Sequence, residues 1–277
     1  MRQHPNYDIW RLLDCPDHEA EVRALCQTAY LGDHEALCRV LGRYKIYVDT
    51  RDIGIASHLM LEGYWEMWVT QAMMRMVRRG SVVADIGANL GYFTLLLADL
   101  TGAQGRVMAF EPQPNLARLL RKSIAVNGFT GFADLHAIAL GASAGTVTIE
   151  ASIDQPGGGR TVAGCGGDGQ VELARFDTIP HAMDVEFIKM DVEGFEPEVW
   201  KGMTGRLERR DLPLTIFMEF TVGRLPDPAG FLDEILGRGF NLAIISHHQG
   251  VIPIGREELL NGPRDVDHML VFTRAAQ

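Results

Sequence analysis

Short apolar runs alternate with helix-like segments over much of the chain. Residues 82–85, 106–110 and 214–220 have the length and composition of buried strands, and the segments that follow them favour helices. Strands that alternate with helices in this way form parallel sheets with crossover helices. The pattern therefore predicts an α/β domain around one mainly parallel sheet.

The same pattern predicts the rest of this sheet. A third strand covers about 134–140, a fourth ends near residue 190, and a sixth covers 241–246. The last strand, 268–273, is predicted to pair antiparallel with the sixth.

An insertion is predicted after the third strand. Residues 146–150 and 170–174 alternate between apolar and polar positions, which indicates a hairpin. The glycine-rich stretch 156–169 lies between them and is compatible with a substrate lid or with a passive loop.

The first 80 residues precede the sheet and are predicted to be mainly helical. Asp17 can cap a helix that runs to about residue 30, and Asp33 a second helix that runs to residue 41. A short strand at 45–49 and a helix over 64–77 follow. We expect this segment to dock over the ligand-binding edge of the sheet.

A glycine-rich turn links the first sheet strand to its helix. The positions of a dinucleotide fingerprint hold Gly87, Asn89 and Tyr92, so the glycine that lets a pyrophosphate approach the backbone is missing. Asn89 tolerates the left-handed backbone conformation that such a turn needs. The turn therefore predicts a nucleoside ligand without phosphates, and Asp85 is placed to meet a positive group.

The next predicted strand ends at Glu111, where an acidic residue can accept hydrogen bonds from both ribose hydroxyls. S-adenosylmethionine (AdoMet) has these hydroxyls, no phosphate, and a cationic amine and sulfonium. We therefore predict AdoMet rather than NAD as the cofactor.

The fourth strand runs into several charged residues. Lys189, Asp191, Glu193 and Glu196 fall at the edge of the sheet where the nucleoside site is expected, and buried charges are costly unless they are paired. Glu196 suits the first turn of the following helix, so we interpret it as structural. Asp191, at the end of the strand, is interpreted as functional.

Composition limits the class of partner. The net charge of −10 disfavours a nucleic-acid partner, because phosphate binding needs a clustered basic face. The four cysteines, which include Cys26 and Cys38 on predicted helix faces, lack paired metal-ligand spacing and are expected to be reduced thiols. No stretch approaches the ~20 apolar residues of a membrane span, and no signal peptide is apparent, so we expect a cytoplasmic protein.

Four segments resemble the FkbM-type AdoMet-dependent methyltransferases. They are 85–94 (DIGANLGYFT), 110–112 (FEP), 127–128 (NG) and 188–196 (IKMDVEGFE), and the likeness covers roughly residues 60–220. Residues 63–66 (GYWE) are similar to a segment of that family with looser spacing. The resemblance implies a Rossmann-like class I methyltransferase sheet of seven strands in the order 3-2-1-4-5-7-6. The division would be a mainly helical N-terminal cap over 1–60 and a methyltransferase domain over 61–277.

The resemblance also implies a function and a cofactor site. We expect O-methylation of a hydroxyl on a small-molecule or glycan acceptor: a sugar, polysaccharide or secondary metabolite. An N-methyltransferase and a non-catalytic AdoMet-binding partner in a biosynthetic assembly remain open, as does association of identical chains. The residues implied to bind the cofactor are Asp85, Gly87, Ala88, Asn89, Gly91, Phe93, Thr94, Glu111, Pro112 and Ala139.

The acceptor side is predicted at the ends of the later strands. Asp191 is the first choice there, supported by Lys189 and Glu193 and faced by Glu219 from the neighbouring strand. Asp191 with Glu219 could instead hold a divalent cation, and this stays open. His247, or His248 beside it, is a candidate base because the sixth strand should end on the ligand side of the sheet.

Overall fold

The N-terminal segment combines short helices with a small sheet. The computed structural model describes residues 7–150, 160–162 and 169–277. The elements of this segment are α1 (Arg11–Asp14), α2 (His18–Leu25), β1 (Gln27–Gly32), β2 (Glu35–Val40), β3 (Tyr44–Asp49) and α3 (Ile55–Leu61). β1, β2 and β3 pair antiparallel in that order.

The prediction of a mainly helical cap is wrong. The predicted first helix ends at Leu25, and the predicted second helix is strand β2, in which buried and part-exposed residues alternate with the period of two that a strand requires. Asp33 and His34 both have positive φ and form the tight turn of the β1–β2 hairpin. Cys38 consequently lies on a strand, not on a helix face.

The first half of the main sheet follows the predicted alternation. Its elements are α4 (Met67–Met76), β4 (Val82–Ile86), α5 (Tyr92–Thr101), β5 (Arg106–Phe110), α6 (Pro114–Val126) and β6 (Ala133–His136). α4 begins after Glu66, which has a left-handed backbone, so the helix is shorter than predicted at its start.

The insertion forms a second, smaller sheet. Its strands are β7 (Ala139–Leu140), β8 (Gly145–Glu150), β9 (Arg160–Val162) and β10 (Gln170–Ala174). β8 and β10 pair antiparallel, which confirms the predicted hairpin. The predicted third strand is split between β6 and β7, which belong to different sheets. Most of the glycine-rich stretch 156–169 lies outside the described residues.

The second half of the chain completes the main sheet. Its elements are β11 (Val185–Met190), α7 (Glu196–Gly202), α8 (Thr204–Glu208), β12 (Leu214–Phe220), α9 (Pro228–Gly237), β13 (Asn241–Ser246), β14 (Gly250–Pro253), α10 (Arg256–Leu260) and β15 (His268–Arg274).

The main sheet is mixed and has eight strands in the order β14-β13-β15-β12-β11-β4-β5-β6. The expected count of seven is wrong, because β14 folds back on β13 as a hairpin and adds an edge strand. β15 lies between β12 and β13 and runs antiparallel to both. This confirms its predicted antiparallel pairing with the sixth predicted strand, which is β13. The fold is α/β, as predicted. The carboxyl ends of β4, β5, β11, β12 and β13 therefore meet at one edge.

Polar contacts fix the small sheet onto the main domain. The buried Tyr44 hydroxyl donates a hydrogen bond to Asp99 of α5 at 2.8 Å, and Arg43 forms an ion pair with the same carboxylate at 2.8 Å. The backbone N–H of Tyr47 donates to the Ser123 hydroxyl of α6 at 2.9 Å. These contacts hold the segment beside the sheet. Among the described residues no helix is long and apolar enough to cross a membrane.

The Asp99 carboxylate provides a test of this docking. Asp99→Ala should lower the free energy of unfolding by about 1–3 kcal/mol, because it leaves the buried Tyr44 hydroxyl without an acceptor. Tyr44→Phe is the matched control and should cost less, since no buried polar group is left unpaired. Urea unfolding measures both, and an equal or larger loss in Tyr44→Phe would contradict this explanation.

Candidate functional site

The glycine-rich turn between β4 and α5 is fixed by close packing. Asn89 has φ of 52°, the left-handed conformation predicted for it. Gly87 has φ of 76°, and a Cβ atom there would lie 1.8 Å from the Asp191 carbonyl oxygen. A Cβ atom on Gly91 would lie 2.2 Å from a methyl carbon of Leu120 in α6. Both glycines are therefore required by contacts within the protein, which bring Gly87 against the end of β11 and Gly91 against α6.

Glu111 holds the other side of this turn. Its buried carboxylate accepts hydrogen bonds from the backbone N–H groups of Asn89 and Gln113, each at 2.8 Å. Burial raises the pKa of Glu111 to about 7, and the two backbone donors oppose the rise. Each oxygen retains capacity for a further hydrogen bond. The side chain can therefore fix the turn and still accept ribose hydroxyls.

The adenine side of the predicted site lies at the end of β6. His136 is part-exposed there, and its ring stacks on Phe110 at 4.9 Å between centroids. Ala139 is buried in β7 of the smaller sheet, so only its backbone is suited to border an adenine. Ala88, Gly91 and Phe93 are also largely buried in or after the turn, and Pro112 is part-exposed beside Glu111. Their contacts with a cofactor stay predictions.

A buried ion network lies beneath the turn. Thr94 donates to Asp85 at 2.5 Å, and the Lys189 ammonium donates to the Gly87 carbonyl at 3.0 Å. The same ammonium lies 3.8 Å from Asp85 and 3.2 Å from Asp191. The positive group that Asp85 meets is thus Lys189 of the protein itself. Asp85, Thr94 and Lys189 are all buried, whereas Asp191 reaches the surface of the site.

The charges of this network depend on one another. Burial raises the pKa of Asp85, while Lys189 and the Thr94 hydroxyl act in the opposite direction. Burial lowers the pKa of Lys189, but the carboxylates of Asp191 and Asp85 raise it, and its pKa ends above the usual range. The two carboxylates therefore favour the charged form of the buried Lys189.

The predicted acceptor-side carboxylates come together beside Asp191. One oxygen each of Asp191, Glu193 and Glu219 lies within 4.8 Å of the others. Arg224, which sequence reasoning missed, donates to Glu193 at 2.9 Å and to Glu219 at 2.8 Å. Burial, together with repulsion from Asp191 and Glu193, raises the pKa of Glu219 to about 9. The Arg224 guanidinium supplies positive charge where a divalent cation was considered.

Glu196 is structural, as predicted. Its carboxylate acts through hydrogen bonds to the preceding loop and not only through its place in the first turn of α7. Its buried carboxylate accepts hydrogen bonds from the backbone of Val192 at 3.1 Å and of Gly194 at 3.3 Å. Burial raises its pKa to about 7. The side chain therefore shapes the loop that follows β11.

A cavity of about 490 Å³ adjoins the carboxylates, and Glu219 belongs to both. Its wall includes apolar residues of β13, β14 and β15 and the side chains of Trp68, His247 and Asp267. The His247 ring packs on Trp68 at 3.8 Å between centroids. β13 thus ends on the ligand side of the sheet and places His247 at the rim of this cavity, although its ring is exposed.

Glu66 also lines this cavity and was not among the predicted site residues. It precedes α4 with φ of 37° and ψ of 64°, a conformation that is unusual for a residue other than glycine. Burial raises its pKa to about 7, with a further contribution from Asp191. The GYWE segment at 63–66 was the signal that could have identified it.

Residues 85–242 match the family model described as the Methyltransferase FkbM domain. The chain belongs to this family. The match covers more than half of the chain and confirms the resemblance seen in the sequence. It also agrees with AdoMet as the predicted cofactor.

Solved structures show more distant similarities. An FkbM methyltransferase from Methylobacillus flagellatus has 18% identity and a TM-score of 0.48 over 72% of this chain, which spans only 45% of that protein. TYW2 from M. jannaschii, solved with AdoMet, has 14% identity and a TM-score of 0.49 over 88% of this chain and 87% of that one. A SAM-dependent O-methyltransferase from Thermotoga maritima has 12% identity and a TM-score of 0.43, over 91% and 86%. No curated protein matches the chain.

Removing the buried cation tests the network beneath the turn. Lys189→Met should lower the free energy of unfolding by about 3–5 kcal/mol at pH 7, because Asp85 would be left as an unpaired buried charge. The loss should shrink as the pH falls and Asp85 takes up a proton, since its pKa is raised in the folded state.

The double variant Asp85→Asn with Lys189→Met is the control for that experiment. It should recover part of the stability because no charge is left unpaired at this position. Denaturant unfolding of the wild type, the single variants Lys189→Met and Asp85→Asn, and the double variant gives the coupling between the two residues. A double variant no more stable than Lys189→Met would contradict the proposed pairing.

Proposed function

We propose that this FkbM-family protein transfers the methyl group of AdoMet to a hydroxyl oxygen of a sugar, polysaccharide or secondary metabolite. The observation that carries the proposal is the position of Glu111. Its carboxylate lies at the end of β5 beside the turn after β4, and the group of Asp191 and Glu219 lies across that turn at the ends of β11 and β12. A nucleoside held by Glu111 would direct its reactive end toward these carboxylates.

The proposed cofactor residues divide into two groups. Glu111 would accept hydrogen bonds from the ribose hydroxyls, and the part-exposed backbone at Gly87 and Asn89 would line the methionine end. Asp85 and Thr94 would act from beneath by keeping the turn in shape. Bound AdoMet supplies a methyl group that is already activated by its sulfonium, so the protein mainly has to align the acceptor and exclude water.

The acceptor residues would act at the other side of the turn. Asp191 would accept the hydrogen bond of the hydroxyl and orient its oxygen, while Lys189 holds the Asp191 carboxylate in place at 3.2 Å. Arg224 would keep Glu193 and Glu219 in position through its ion pairs. His247 would border the acceptor at the rim of the cavity.

Cofactor binding is the first test of this proposal. Calorimetric titration should show binding of AdoMet and S-adenosylhomocysteine but not of NAD. Glu111→Ala should weaken both by about 10- to 100-fold, the cost of losing hydrogen bonds to a charged acceptor. Glu196→Ala is a matched control, because it removes another buried glutamate that binds two backbone N–H groups. Binding of NAD, or equal losses in both variants, would contradict the assignment.

Methyl transfer tests the acceptor side. With labelled AdoMet and a panel of hydroxylated acceptors, Asp191→Asn should lower kcat by about 10²- to 10⁴-fold because the hydroxyl loses its proton acceptor. Binding of S-adenosylhomocysteine should change little, since Asp191 lies outside the proposed cofactor contacts. Product analysis would identify the methylated atom. Methylation on nitrogen would contradict the O-methyltransferase assignment, and unchanged turnover would contradict the role of Asp191.

A further inference from the structure

The cavity beside Glu219 has a distinctive set of charges. Its wall contains the carboxylates of Glu66, Glu219, Glu258 and Asp267, and three imidazoles, but among its described lining residues there is no lysine or arginine. Two cations of the neighbouring site are already engaged, because Lys189 lies against Asp85 and Asp191, and Arg224 forms ion pairs with three carboxylates. The cavity therefore offers acidic side chains to a ligand but no cation of its own among its described lining residues.

Glu66 and Glu258 are the carboxylates of this wall that have no hydrogen-bond or ion-pair partner among the described residues, and of the two only Glu66 is part-buried, since Glu258 is exposed. Glu219 and Asp267 bind Arg224, and Asp267 also accepts a hydrogen bond from Thr221 at 2.6 Å. No hydrogen bond or ion pair reaches the Glu66 carboxylate from any described residue. Glu66 has a left-handed backbone and lies at the start of α4, where it forms part of the cavity wall. Such strain in a residue other than glycine is typical of functional positions.

The rest of the wall suits an organic ligand. Trp68 and apolar residues of the last three strands line the cavity, whose volume of about 490 Å³ is that of a small-molecule site. An indole can attract a cation as well as pack against a carbon skeleton. An anionic acceptor such as a phosphorylated sugar would be repelled by the carboxylates, whereas a protonated amine would neutralise one of them.

We propose that this cavity is the acceptor site and that it selects hydroxylated acceptors with a protonated amine, such as amino sugars, whose ammonium group binds Glu66. The assignment of the cavity to the acceptor rests on the proposed function. The ion pair also accounts for methylation on oxygen, because a protonated amine has no lone pair with which to attack the methyl group. Methyl transfer then forms the C–O bond and breaks the C–S bond, and the hydroxyl proton leaves through Asp191.

Competition among three sugars tests this selectivity. Saturation-transfer NMR on the full chain with S-adenosylhomocysteine would compare glucosamine, glucose and glucose 6-phosphate. Glucosamine should bind at least about tenfold more tightly than glucose, the effect of one charge-assisted hydrogen bond, and glucose 6-phosphate should bind most weakly. Equal affinities, tighter binding of the phosphate, or no binding of glucosamine would overturn the proposal.

Two isosteric variants locate the selectivity. Glu66→Gln should abolish the preference for glucosamine, whereas Glu258→Gln, which removes the same charge from an exposed residue of the same wall, should retain most of it. Unchanged S-adenosylhomocysteine binding by Glu66→Gln would show that the fold is intact. A preference that survives Glu66→Gln would overturn the role of Glu66. Failure of AdoMet binding in the earlier titration would instead reject the methyltransferase site while leaving the selectivity measurable.

Discussion

The site depends on one buried cation. Lys189, at the end of β11, contacts the Gly87 carbonyl of the turn and lies between Asp85 and Asp191. Without it, two carboxylates and a carbonyl would converge at the end of a buried sheet with no compensating charge. The lysine thus joins β4, its turn and β11 into one rigid edge, on which both the proposed cofactor and acceptor residues are placed.

The burial and pairing of charged side chains decrease along this edge of the sheet, from Asp85 toward the cavity. Asp85 and Lys189 are fully enclosed and compensate one another, Asp191 is part-exposed, and Glu219 is held by Arg224. The cavity beyond has Glu66 without an ion pair. The carboxyl groups at the end of the sheet are therefore paired with cations of the protein, whereas Glu66 on the cavity wall has no such partner among the described residues, and a ligand can supply one. This difference in charge pairing links the proposed methyl transfer to the proposed choice of acceptor.

Much of the main sheet could be predicted because each strand is a short apolar run with its own helix. The hairpin of β8 and β10 and the antiparallel β15 followed from alternation and order. The strand β3 was predicted at 45–49, but β1 and β2 were missed because Asp33 also suits a helix cap, and only the antiparallel pairing of β1 with β2 shows that it forms a hairpin turn. β14 was missed because it is a four-residue edge strand that its hairpin with β13 stabilises.

The site was predictable in part for the same reason. Residues at strand ends, such as Glu111 and Asp191, were found because position along the sequence fixes their position at the sheet edge. Whether a carboxylate faces a ligand or another side chain depends on the fold, so the pairing of Asp85 with Lys189 did not follow from the motif. Arg224, Asp267 and Glu66 come from separate parts of the chain, and no spacing in the sequence connects them.

A crystal structure with S-adenosylhomocysteine would test the central claim most directly. The account predicts that the ribose hydroxyls bind Glu111 and that the sulfur faces Asp191 and the cavity beside Glu219, with Lys189 still in contact with the Gly87 carbonyl. A nucleoside bound elsewhere, or one whose sulfur points away from these carboxylates, would contradict it.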